Sequence, residues 1–126
     1  MKRLALALLT LSVLWGCTPN SAQQSGTVRH MIMWTLDDSL DVNQKEDLIK
    51  ESCRDFYSLE DKIPGIISMK AIHEGRLPSS NCDFMYDIVF ESEDALKNFS
   101  EHPEHLKCAG KLKPYIKSRT CLDVLN

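Results

Sequence analysis

Residues 28–36 read Val28-Arg29-His30-Met31-Ile32-Met33-Trp34-Thr35-Leu36, and this stretch decides the fold. Val28, His30, Ile32, Trp34 and Leu36 alternate with Arg29, Met31, Met33 and Thr35. Side chains point to opposite faces of a strand with a period of two, and here both sets are largely apolar. The stretch is therefore expected to be a strand covered on both faces. Asp37 to Asp41 interrupts it, after which Asp41 or Asn43 can cap a helix, with Gln44 or Glu46 at the matching capping-box position. Ile49, Cys53, Phe56 and Ile63, with Leu48 and Leu59 alongside, make one apolar helical stripe, which Pro64-Gly65 is expected to end.

A second strand is expected from Ile66 to His73, followed by a turn-rich loop from Gly75 to Asn81. A third strand then sets Phe84, Tyr86, Ile88 and Phe90 on one face. Ser92 can cap a second helix, with Glu93 and Asp94 at its positive end and Ala95, Leu96 and Phe99 on its apolar side. His102-Pro103 interrupts that helix and restarts it, since proline is tolerated in a first turn. Pro114 stops the second piece, and Ser118 to Leu125 reads as the last strand. The order β-α-β-β-α-β is the ferredoxin-like α+β arrangement, with helices on one sheet face. Met31, Met33, Met85 and Val89 fall on the other face, and a second copy of the chain is the simplest cover for them, so a homodimer is expected.

Upstream of the domain, Lys2 and Arg3 precede an apolar run from Leu4 to Leu14, too short to span a bilayer but suited to a signal peptide. Leu14-Trp15-Gly16-Cys17 is similar to the bacterial lipobox, in which the cysteine is lipidated and becomes the new N-terminus. An ordinary secretory signal cut elsewhere, or a buried N-terminal helix, are the alternatives. The expected organisation is a signal peptide over residues 1–16, a lipidated Cys17 and flexible tether over 17–26, and one domain over 27–126. A tether of this length reaches about 17 Å, which keeps the domain close to its membrane. Thr18, where many lipoproteins kept in the inner membrane carry aspartate, favours the outer membrane, facing the periplasm.

The chain has 126 residues, with 15 basic and 18 acidic side chains. Loss of Lys2 and Arg3 leaves 13 basic against 18 acidic residues, a balance of −5. Phosphate backbones demand concentrated positive charge, so nucleic acid is not an expected partner. Cys53, Cys82, Cys108 and Cys121 remain after lipidation; an oxidising compartment permits pairing among them, and buried free thiols are the alternative.

Several local strings, in order, resemble the stress-responsive A/B-barrel (Dabb) family. They are Val28-Arg29-His30-Met31-Ile32, Lys62-Ile63-Pro64-Gly65-Ile66, Phe90-Glu91-Ser92-Glu93-Asp94-Ala95-Leu96 and His102-Pro103-Glu104-His105, with Asp123 on the last strand. The resemblance covers roughly residues 27–125. It implies a dimeric α+β barrel, in which two ferredoxin-like sheets close on each other with the helices outside. The family contains plant stress proteins without a clear catalytic role and the plant olivetolic acid cyclase; related barrels include small monooxygenases, some of them binding haem. By resemblance His105 corresponds to the cyclase's general base, whereas the cyclase's partner tyrosine is replaced by Phe99.

Two functions of different class follow. The first is a non-catalytic envelope protein that binds a small apolar ligand between helices and sheet, lined by His30, Ile32, Trp34, Tyr86, Phe99 and Cys108. The second is a cofactor-independent lyase, isomerase or cyclase that uses His105 as general base. Packing is the competing role for each of these residues, and a helix-start contact is the competing role for His102. No cofactor is expected. His102 and His105 lie three apart on one helix, but a stable metal site needs a third ligand, so no metal is expected either. Cys108 and Cys121 are expected to face one cavity, and Arg119, on the Cys121 face, to lie at a rim or pair with an anion.

Overall fold

The computed structural model describes residues 26–126; the signal peptide expected over 1–16, Cys17 and nearly all of the expected tether lie outside the described residues. The elements are β1 (Val28–Leu36), α1 (Val42–Tyr57), β2 (Ile66–Ile72), β3 (Phe84–Phe90), α2 (Glu93–Glu101), α3 (Pro103–Leu112), a 3-10 turn (Lys113–Tyr115) and β4 (Ile116–Leu125). The four strands form one antiparallel sheet in the order β2-β3-β1-β4. This is the ferredoxin-like α+β fold, with β3 inserted between the two parallel strands that α1 connects.

β1 is bonded on both sides, to β3 and to β4, along almost its whole length. Its Val28, Ile32, Trp34 and Leu36 are buried under the helices, and β3 adds Phe84, Tyr86, Ile88 and Phe90 to the same layer. From the helices come Ile49, Cys53 and Phe56 of α1, Phe99 of α2 and Leu112 of α3. Asp41 caps α1: its carboxylate accepts from the Gln44 amide at 2.8 Å, and the Gln44 side chain accepts from the Asp41 amide at 2.9 Å. Such a cap contributes about 1 kcal/mol.

Two expectations need correction. α1 ends at Tyr57, not at Pro64-Gly65. The Ser58 hydroxyl takes the Asp55 carbonyl at 2.6 Å, and tighter turns follow, with Leu59 N bonding Phe56 O and Ile63 N bonding Leu59 O. Leu59 and Ile63 still reach the core, at 1 % and 2 % exposure, because these turns face the sheet as a helix would. The open sheet face is also less uniformly apolar than expected. Met31, Met33, Met85 and Val89 are half-buried there, but Arg29 crosses it to Asp87 through two bonds of 2.9 and 2.6 Å. The Arg29 hydrogen bond holds the Asp87 carboxyl below its usual range. Leu122 and Val124 of β4 extend the apolar part of this face.

Gly65 sets the distance between the α1–β2 junction and α2. Its φ is +90°, and a Cβ there would lie 2.6 Å from the Ala95 Cβ. Its carbonyl also accepts from the Glu91 amide at 2.9 Å, which ties the junction to the end of β3. Gly65→Ala is expected to destabilise the fold by about 2 kcal/mol or more, combining the left-handed backbone with the steric overlap. Urea unfolding followed by circular dichroism measures this; a midpoint unchanged from wild type contradicts it.

Candidate functional site

The helix-side residues of β4 meet β1 in direct register: Asp123 opposite His30, Cys121 opposite Ile32, Arg119 opposite Trp34. His30 is buried at 9 % exposure, and its Nδ1 lies 2.5 Å from the Asp123 carboxylate. A carboxylate accepts, so Nδ1 is the donating nitrogen and Nε2 is left for another partner. The Cys121 Sγ lies 3.5 Å from the same Nδ1 and 3.7 Å from the Asp123 oxygen. The protein packed around Sγ, and next the Asp123 carboxylate, push this thiol up from its ordinary value.

An aromatic path leads from His30 to His105. His30 meets Phe90 edge-on at 6.3 Å, Phe90 meets Phe99 at 5.1 Å, and Phe99 meets His105 at 4.4 Å between ring centres. The α2–α3 break creates this geometry. His102 caps α3, its Nδ1 accepting from the Glu104 amide at 3.2 Å, with Pro103 in the first turn. The next turn carries His105 back over Phe99, where Nδ1 lies 3.2 Å from the Ser100 carbonyl. A carbonyl only accepts, so Nδ1 carries the hydrogen and Nε2 holds a lone pair. Burial holds His105 below its usual value; positive charge from His30, Arg119 and His102 works in the same direction, against the Ser100 bond. At neutral pH the ring is therefore an uncharged base.

The other expected site residues divide. Ile32 is buried beside His30 on the same face of β1. Trp34 stacks on Phe84 at 5.0 Å and meets Tyr86 edge-on at 4.8 Å. Tyr86 stacks on Phe56 at 3.6 Å, and its hydroxyl is bonded to Ser52 of α1 at 2.5 Å. Burial raises that phenol far above its ordinary value. Trp34 and Tyr86 thus form a packed floor whose polar end points to α1 and not to the histidines. Cys108 borders a groove of about 390 Å³ between α1 and α3, beside Ser52, Asp55 and Lys111. Its Sγ lies 3.9 Å from the Asp55 carbonyl. Cys108 and Cys121 therefore have different partners and do not share one wall, which corrects the expectation that they face a common cavity. All four cysteines of the described residues are free thiols.

His102 and His105 each use Nδ1 on a backbone group, the Glu104 amide and the Ser100 carbonyl respectively. Arg119 is exposed, yet close enough to His105 to affect its proton affinity. Asp123, which sequence reading noted only as a position of resemblance, emerges as the partner of His30. Nothing in the linear spacing announces a pair separated by 93 residues. The Arg119-Cys121-Asp123 alternation, set in antiparallel register against β1, is the one signal that leads to it.

The family model of the stress responsive A/B barrel domain matches residues 28–126. No curated protein matches the chain at a significant level. Among solved structures, a dimeric ferredoxin-like protein of unknown function from Bacteroides fragilis has a TM-score of 0.76 and 24 % identity, over 80 % of this chain and 97 % of that one. A dimeric ferredoxin-like protein of unknown function from Thermobifida fusca has a TM-score of 0.70 and 19 % identity, over 85 % and 97 %. The hydroxynitrile lyase from Passiflora edulis has a TM-score of 0.67 and 18 % identity, over 81 % and 94 %.

His105 is expected to titrate below 6.5 by proton NMR, and Arg119→Ala to move it upward by removing a positive neighbour. The unfolded chain takes up this proton before the folded one, so the protein loses stability as pH falls through 6.5. His105→Gln should remove that part of the acid sensitivity. An equal loss of urea midpoint in wild type and variant on acidification contradicts the assignment.

Proposed function

The chain belongs to the stress responsive A/B barrel domain family, and from that premise we propose that it is a lipid-anchored homodimer of the cell envelope that binds a small, mostly apolar molecule bearing a carbonyl or hydroxyl group. The observation that carries this reading is the aromatic path joining two imidazoles, His30–Phe90–Phe99–His105. Phe90 and Phe99 are buried and back the two imidazoles, whose ring nitrogens, held by Asp123 and Ser100, suit the polar end of a ligand. An uncharged His105 lets such a ligand approach without desolvating an ion. In this reading Ile32 flanks the site, Trp34 and Tyr86 support it as packed floor, and Cys108 stands outside it.

The dimeric neighbours support a homodimer. Its seam would be the open sheet face, where Arg29 and Asp87 are already paired within one protomer and need no partner from the other. The anchor is supported by Lys2-Arg3, the Leu4–Leu14 run and Gly16-Cys17, and Thr18 favours the periplasmic side of the outer membrane.

One observation favours a second reading, in which the site is catalytic. The Ser100 carbonyl orients His105 as a base with its lone pair on Nε2, ready to accept a proton from a carbon or oxygen acid of the substrate. A neighbour of the same fold is a hydroxynitrile lyase. Phe99 carries no hydroxyl with which to polarise a carbonyl, so the base would act without that help.

Native mass spectrometry of the full chain purified from envelopes tests the first reading. A co-purified small molecule is expected, with His105→Ala weakening its hold on the order of tenfold, about 1.4 kcal/mol for a lost hydrogen bond. Equal retention by His105→Ala contradicts the site. Turnover of the identified molecule by wild type, abolished in His105→Ala, selects the catalytic reading. Cys17→Ala should move the protein from the membrane to the soluble fraction; continued membrane attachment refutes the anchor.

A further inference from the structure

We propose that His30, Cys121 and Asp123 form a binding site for a single divalent zinc ion in each protomer. The three donors are an imidazole nitrogen, a sulfur and a carboxylate oxygen, the set from which zinc sites are built. Their atoms lie within 4.8 Å of one another. Zinc sits about 2.0–2.1 Å from nitrogen or oxygen and about 2.3 Å from sulfur, which in a tetrahedron spaces the donors about 3.3–3.6 Å apart. The Cys121–His30 separation of 3.5 Å and the Cys121–Asp123 separation of 3.7 Å match that spacing with almost no movement. Only the 2.5 Å His30–Asp123 contact is too short, because it is a hydrogen bond. Opening it by roughly 1 Å to zinc spacing needs only a rotation of the Asp123 side chain, which is 48 % exposed.

The frame holding the donors is a sheet and not a loop. His30 and Asp123 are paired residues on adjacent strands, and Cys121 is the next residue of β4 on the same face. Backbone pairing therefore fixes donor spacing before any ion arrives, which lowers the ordering cost of binding. Charge also balances: one thiolate and one carboxylate offset the double charge of zinc. On binding, the Cys121 thiol releases its proton to solvent, and the imidazole hydrogen passes from Nδ1 to Nε2 as Nδ1 becomes the ligand. Three protein donors leave a fourth position for water or an exogenous ligand. The site shares His30 and Asp123 with the ligand reading above, but it requires neither His105 nor a bound organic molecule, so either can fail without the other.

The test uses the full chain stripped with chelator, titrated with zinc by calorimetry and with cobalt(II) by absorption spectroscopy. One ion per protomer is expected, with a sulfur-to-cobalt charge-transfer band. Cys121→Ser should abolish that band and weaken zinc binding at least tenfold, and Asp123→Asn should weaken it similarly. Both residues are exposed, so these variants should keep the wild-type circular dichroism spectrum. Cys82→Ser, which alters a thiol elsewhere, should bind as wild type does. Folded wild-type protein that takes up no zinc overturns the proposal. So does a charge-transfer band that survives in Cys121→Ser or disappears in Cys82→Ser.

Discussion

Everything in this domain depends on β1 being a central strand, paired on both sides and largely apolar on both faces. Its buried residues hold the helices, and its other face lies within the half-buried patch that includes Met31, Met33, Met85 and Val89. Because β3 and β4 both pair with it, β1 sets the register of everything else in the layer. A slip of one residue would turn His30, Ile32 and Trp34 out of the helix layer together. The same alternation that buries the core therefore delivers His30 to the site.

Most of the fold was legible in the sequence because its signals are local. Period-two runs in β1 and β3, the Asp41 and Ser92 caps and the His102-Pro103 restart each act within a few residues. The end of α1 was not legible, since turns can hold Leu59 and Ile63 in the core at nearly helical spacing. The ion pair on the open face was hidden for another reason. Arg29 alone reads as a polar interruption, and only the β1–β3 pairing brings Asp87 to it.

The site follows the same division. The family resemblance paired His105 with Phe99, and the helix break brings the two rings to 4.4 Å between centres. His30 and Asp123 come from opposite ends of the domain, and strand register alone unites them. Residues chosen for aromatic character, Trp34 and Tyr86, proved to be bonded into the core around Phe84, Phe56 and Ser52. Aromatic content identifies a dense interior well; it does not tell packing from recognition.

β4 has a neighbour on one side only within the subunit, and it carries Arg119, Cys121 and Asp123. An outermost strand keeps alternate amides unsatisfied by the sheet and frays more readily than an inner one. The imidazole of His30 thus rests on an inner strand, whereas the carboxylate and thiol ride on an outer margin of the layer. Fluctuations too small to disturb the interior can lengthen or shorten the gap between carboxylate and imidazole. Whatever braces that margin from outside gains leverage over the chemistry within.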